Sequence, residues 1–241
     1  MRCTCHHGAA GSRNGAGRIS AVTQALPLSV PEKAAQALRV LITDGEVSPG
    51  DKLPEADLAE RLGVSRNTLR EVFRLLARER LVEHVPNRGV FVSRPGLPEV
   101  FDVFRVRQLI EPEAIAGAAP GHPSLERMRD CVLRARAAAE ADDWRAVGTA
   151  DVTFHEAVIA LADSPILEDL YRSLAAQLRL MFGLIGSPRY MHEQYIDRNE
   201  QIVGLIQRGD SAGAAQEMRA YLHDAQEQIV NAYVSGRVSS V

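Results

Sequence analysis

Apolar positions recur at helical spacing through most of this 241-residue chain, and the breaks in that spacing mark its turns. The first periodic run, PEKAAQALRVLITDG from Pro31, puts Ala34, Ala37, Leu38, Leu41 and Ile42 on one face of a helix. Pro31 suits a first helical turn and Gly45 a stop. SPGDKLP, residues 48–54, is a turn cluster. EADLAERLG then predicts a short helix with Leu58, Ala59 and Leu62 inward and Gly63 closing it. Ser65 caps the next helix, RNTLREVFRLLARER, in which Leu69, Val72, Phe73 and Leu76 share a face. The spacing then shortens. LVEHV and GVFV are β-branched runs around Pro86, Asn87, Arg88 and Gly89, which predict a two-stranded hairpin with a long turn.

Two prolines and a glycine in residues 94–98 end this unit, so 95–98 read as a linker. From Glu99 onward every periodic stretch is helical. The expected spans are 99–118, 124–141, 144–162, 165–185, 191–208 and 211–234, separated by proline, glycine and aspartate pairs. Six helices with short connections imply an antiparallel bundle over 99–235. The fold class is therefore mainly α: a small helical unit with a β-hairpin over 29–94, then a six-helix bundle. Residues 1–28 have no periodicity and are rich in Gly, Ala, Ser and Arg, the composition of a disordered tail. Cys3, Cys5, His6 and His7 lie there without a second ligand pair, which favours an unstructured leader over a zinc site.

Composition narrows the class. Apolar residues make up 46% of the chain, enough for real cores, and aromatics only 5%. No apolar run approaches the ~20 residues of a membrane span, and the start lacks the apolar stretch of a signal peptide. A cytoplasmic address is expected. Two of the three cysteines sit in the first five residues, which argues against a disulfide framework. The net charge of −3 is unevenly spread. Residues 1–28 carry three basic groups and no acidic ones. Residues 29–94 carry 11 basic groups against 10 acidic, and residues 95–241 carry 14 against 21. A nucleic-acid site therefore belongs in the N-terminal part.

The chemistry there is specific. Two short helices meet at the tight Gly63, Val64, Ser65 turn with their apolar faces toward one core, which is helix-turn-helix geometry. Arg66, Arg70 and Arg74 follow at four-residue intervals on the outer face of the second helix. Ser65, Asn67 and Thr68 crowd its first turn, the end that enters a major groove in such motifs. Arginine can grip guanine O6 and N7, and asparagine adenine N6 and N7. Ser65 and Thr68 can bond a phosphate. The hairpin tip, Asn87, Arg88 and Gly89, is placed to touch backbone or minor groove, with Gly89 free to take positive φ. A merely solvated face would mix signs, whereas residues 65–80 hold five arginines and two acids. Turn, helix and wing in this order make double-stranded DNA the expected partner.

The stretch from Pro49 to Val92 resembles the winged helix-turn-helix of GntR-family regulators almost throughout. That resemblance implies DNA-contact roles for Arg66, Arg70 and the Asn87–Gly89 tip. It departs at Asn67 and Thr68, where Thr-Pro is frequent, and at Glu79 and Arg80, where a glycine often ends the helix. Ala56 stands where some relatives carry a DNA-touching arginine. VRQLIEPEAIAGAA (106–119) and DVTFHEAVIALADSPILEDLYRSL (151–174) resemble the ligand-binding FCD domain of the FadR-type subfamily. Many such domains are implied to hold a divalent metal with an Asp and a His one turn apart and two further histidines. Asp151 and His155 match the first pair, although a mutually hydrogen-bonded polar pair would look the same. The other two positions are Asn199 and Tyr221, poor ligands for zinc or nickel. His223 lies about 200° around the helix from Tyr221, and His192, two turns before Asn199, would need a shifted site. The expectation is an effector cavity with no metal or a weakly held zinc or nickel ion.

In a metal-free cavity Arg107 is the leading anion-binding residue, with Asn199 and Tyr221 as neighbours. A surface or interdomain salt bridge is the equal alternative for Arg107. Trp144 and Cys131 read as packing residues. The whole implies a homodimeric repressor that binds a near-palindromic operator and is released by a small organic-acid or acyl effector. A metal-dependent hydrolase around Asp151 and His155 is the first rival, but the chain has no phosphate-binding glycine loop, nucleophile elbow or HExxH motif. A sensor-less architectural DNA protein is the second, and it would need no acidic six-helix bundle.

Overall fold

A computed structural model describes residues 28–238; Cys3, Cys5, His6 and His7 lie outside the described residues. The N-terminal unit runs α1 (Val30–Thr43), β1 (Lys52–Leu53), α2 (Glu55–Arg61), α3 (Arg66–Arg78), β2 (Val82–Val85) and β3 (Gly89–Val92). The bundle follows as α4 (Leu97–Ala116), α5 (Ser124–Glu140), α6 (Trp144–Ala160), α7 (Pro165–Leu184), α8 (Pro188–Gln207) and α9 (Ser211–Val234).

Local chemistry sets the helix starts. Ser29 and Glu32 form a reciprocal capping box on α1. The Ser65 hydroxyl accepts from the Thr68 N–H at 3.1 Å and caps α3. Two prolines read as punctuation are helical instead. Pro98 lies in the first turn of α4, where the Gly96 N–H donates to the Glu99 carboxylate at 2.9 Å, so the expected linker is half helix. Pro188 likewise opens α8, three residues before the expected start. Neither proline costs a hydrogen bond, because a first-turn N–H has no helical partner to lose.

The sheet differs from the expected hairpin. It has three antiparallel strands in the order β1-β3-β2. Leu53 pairs with Val90 and Val85 with Gly89, so the wing turn is only Pro86–Arg88, with Asn87 at φ 62° and Gly89 at φ 112°. The extra strand comes from the turn cluster. Lys52 and Leu53 form a stretch too short to show any period, yet Leu53 is buried.

The two cores are not separate. Ala176 and Leu180 of α7 pack with Ala35, Leu38 and Ile42 of α1 and with the core under α3. A bundle helix thereby closes the core of the N-terminal unit. Arg179, on the same helix, donates from Nε to the Thr43 carbonyl at the end of α1 (3.1 Å) and from Nη2 to the Arg145 carbonyl of α6 (3.3 Å). Within the N-terminal unit, Arg39 of α1 grips Glu79 with two bonds of 2.6 and 2.8 Å and holds the end of α3.

Candidate nucleic-acid interface and buried polar centre

Because Leu69, Val72, Phe73 and Leu76 are buried, α3 turns its other face outward. Arg66, Asn67, Arg70 and Arg74 are all exposed there, and Thr68 is half-buried. The Ser65 and Thr68 hydroxyls lie 2.9 Å apart, so both help to shape the helix start. Arg70 is steadied by Glu55 of α2, whose carboxylate accepts from its Nε at 3.2 Å. Its terminal nitrogens stay available. Arg70, Arg74 and His84 of β2 line one groove of about 410 Å³ between α3 and the wing. At the tip, Asn87 and Arg88 are exposed, and the Arg88 guanidinium lies 5.5 Å from the centre of the Phe91 ring. Positive φ at Asn87 and Gly89 makes the tip compact.

The bundle's interior holds an unusual concentration of polar groups. Arg107 and Glu111 stand one turn apart on α4, are 1% and 0% exposed, and join through Nε and Oε1 at 2.6 Å. Tyr171 of α7 donates to the same Glu111 oxygen at 2.7 Å. His155 Nδ1 lies 2.7 Å from the other oxygen, and its Nε2 lies 3.2 Å from the Tyr221 hydroxyl. Tyr221 in turn donates to Asp151 Oδ1 at 3.0 Å, and the Asn199 amide donates to that same atom at 3.0 Å. His192 Nδ1 is 3.3 Å from Asp151 Oδ2 but off the hydrogen-bonding direction, so both its ring nitrogens lack a partner. Burial works to raise the Glu111 carboxyl, but Arg107 and His155 outweigh it and hold the group at about 2. Burial likewise opposes ionisation of Asp151, and His192, His155 and Asn199 hold it well below the usual carboxylate range. Burial, with the nearby carboxylates, pushes the Tyr171 and Tyr221 hydroxyls up, so both stay donors.

Arg107, Asp151, His155, Asn199 and Tyr221 are thus drawn into one connected network. The surface salt bridge considered for Arg107 is corrected: its ion pair is internal to α4 and buried. Glu111 and Tyr171 join the network unexpectedly, although the i, i+4 spacing from Arg107 to Glu111 was a usable signal. His192 needs no shifted site to join it. Seven residues return a side chain almost to the same helix face, and the imidazole reaches the second Asp151 oxygen. His223 is exposed beside Glu227. Cys131 is buried, and Trp144 packs half-buried under the Arg189 guanidinium.

Of the groups around Asp151, Asn199 and Tyr221 are poor ligands for a divalent ion. Both aim hydrogens at Asp151 Oδ1. Among the described residues no group of three His, Cys, Asp or Glu side chains is arranged to hold a metal.

The model of bacterial regulatory proteins of the gntR family matches residues 31–92, and that of the FCD domain matches residues 102–224. The chain belongs to the GntR family of transcriptional regulators, with an FCD domain. The crystal structure of a putative GntR transcriptional regulator from Rhodococcus sp. RHA1 is 36% identical, with a TM-score of 0.78 over 86% of this chain and all of that one. The galactonate operon transcriptional repressor of Escherichia coli K12 is 29% identical over 177 residues, 65% of this chain and 77% of its own length. The gluconate operon transcriptional repressor of Bacillus subtilis 168 is 22% identical over 211 residues, 84% of this chain and 86% of its own. The regulator's work is recognition and not catalysis: a GntR-type DNA-binding unit is joined to an FCD effector domain.

Proposed function

We propose that this regulator is a homodimeric repressor whose α3 helices read two half-sites of a near-palindromic operator in the cytoplasm. The observation that carries this reading is the exposed Arg66, Asn67, Arg70, Arg74 surface on a capped helix beside a compact wing that presents Arg88. Major-groove readout needs that combination of a rigid helix start and bidentate donors. Exposed Val106 and Leu109 on α4, with Ile166 and Leu170 on α7, offer an apolar surface for a second copy. No helix among the described residues is long and apolar enough to cross a membrane.

The effector is a small organic acid bound at the polar centre without a resident metal. Four buried atoms there have no partner: Arg107 Nη2, His192 Nδ1 and Nε2, and Asn199 Oδ1. Arginine and imidazole donors suit a carboxylate, and the Asn199 oxygen suits a hydroxyl. Two relatives are named for galactonate and gluconate operons, and both compounds are hydroxy acids. Operator release in a fluorescence-anisotropy assay, screened against hydroxy acids, tests the reading. Binding to DNA that shows neither sequence preference nor salt sensitivity would sink it. Stoichiometric zinc or nickel in protein purified without chelator would overturn the metal-free centre.

A further inference from the structure

A cavity lies at the joint between the two units, beside the bundle's polar centre. It measures about 220 Å³ and is lined by Gly45, Ser48 and Pro49 just beyond α1, and by Arg145, Arg179 and His192 of the bundle. We propose that this cavity binds a compact oxyanion, the phosphate or carboxylate head of a small metabolite.

Among the described residues neither arginine of the cavity is in an ion pair. Arg179 is 7% exposed, yet among the described residues no carboxylate comes within 4 Å of its guanidinium. Its two hydrogen bonds go to the backbone carbonyls of Thr43 and Arg145. The Arg145 side chain is a second guanidinium in the same cavity. Burial and the repulsion of Arg145 both lower the Arg179 pKa, against the weaker pull of Asp151 and Asp44. Arg145 also stands in the first turn of α6, where the helix dipole disfavours a cation and favours a bound anion. His192, 1% exposed, with Nε2 unpartnered and Nδ1 3.3 Å from Asp151 Oδ2, completes the set. Gly148 makes the approach possible, since a Cβ there would stand 2.8 Å from both Arg179 Nη1 and His192 Nε2.

A buried arginine held only by neutral carbonyls, beside a second arginine and an imidazole whose Nε2 is open, is a site short of a negative charge. An oxyanion would accept from Arg179 Nη1, the Arg145 guanidinium and His192. It would also bear on Thr43, because the same Arg179 grips the end of α1. Occupancy would therefore stiffen the joint between the DNA-binding unit and the bundle.

The test uses the full chain at constant ionic strength, titrated separately with inorganic phosphate and malonate, with thermal midpoint and isothermal calorimetry as readouts. Saturable stabilisation by either probe is expected, and the probe that saturates first identifies the head group. Arg145→Gln, at an exposed position, and Arg179→Lys should each weaken binding about tenfold, the loss of one charge-assisted bond. Arg208→Gln, at an exposed arginine outside the cavity, should leave it unchanged. Absence of saturable binding by both probes overturns the proposal. So does binding that survives Arg145→Gln and Arg179→Lys undiminished, since the anion then sits elsewhere.

Discussion

Arg80 ends the recognition helix in the left-handed region, at φ 58°. A Cβ makes that conformation costly, which is why glycine is common one residue past a helix. Arg80→Gly should raise the unfolding free energy by about 1 kcal/mol, read as a higher urea midpoint at constant slope. The Asp102 partner it loses is exposed, 3.5 Å away, and contributes little. Glu111 is the opposite case, a buried charge that its neighbours require. Glu111→Ala strands the Arg107 guanidinium and should cost about 3–5 kcal/mol. The same carboxyl makes stability depend on acid. Its folded pKa of about 2 lies below the ordinary 4.5, so its contribution is fully present above pH 4.5 and drains away as pH falls toward 2. Denaturant titrations between these limits should show a stability loss that a Glu111→Gln variant, which cannot ionise, lacks.

At the scale of elements, α3 was legible because its determinants are local: a serine cap, a four-residue arginine stripe and a one-sided apolar face. The bundle helices were legible through their proline, glycine and aspartate punctuation. β1 was not, since Lys52 and Leu53 become a strand only because β3 offers an edge to pair with. The buried centre was half legible. Asp151 and His155 announced themselves by spacing, whereas Tyr171 reaches Glu111 from a distant helix. The α2–α3 pair also permits a gain of function. Ala56 is exposed in the first turn of α2, next to the Glu55 that steadies Arg70. Ala56→Arg should tighten operator binding and steepen the slope of log K against log salt by about one phosphate contact, measured by anisotropy from low to moderate salt.

In the proposed dimer a pair of bundles holds a pair of DNA-binding units. Half-sites centred about 34–36 Å apart, one DNA turn, fit two recognition helices on one face of the duplex. The apolar row on α4 and α7 is where the copies should meet. Leu109→Glu, at a position 66% exposed in the single chain, should leave folding intact and shift the mass by light scattering from dimer toward monomer. Operator affinity should fall with it, because two weak half-site contacts reinforce each other only when linked.

Ala176 and Leu180 complete the core over α1, and that has a bearing on ancestry and engineering. Reading heads look like cassettes to be exchanged between regulators at the short stretch before α4. In this chain such a graft would set a foreign α1 against a surface of α7 that grew up with another partner. The heritable module is the head together with the stripe of α7 beneath it, and a working chimaera would have to carry both.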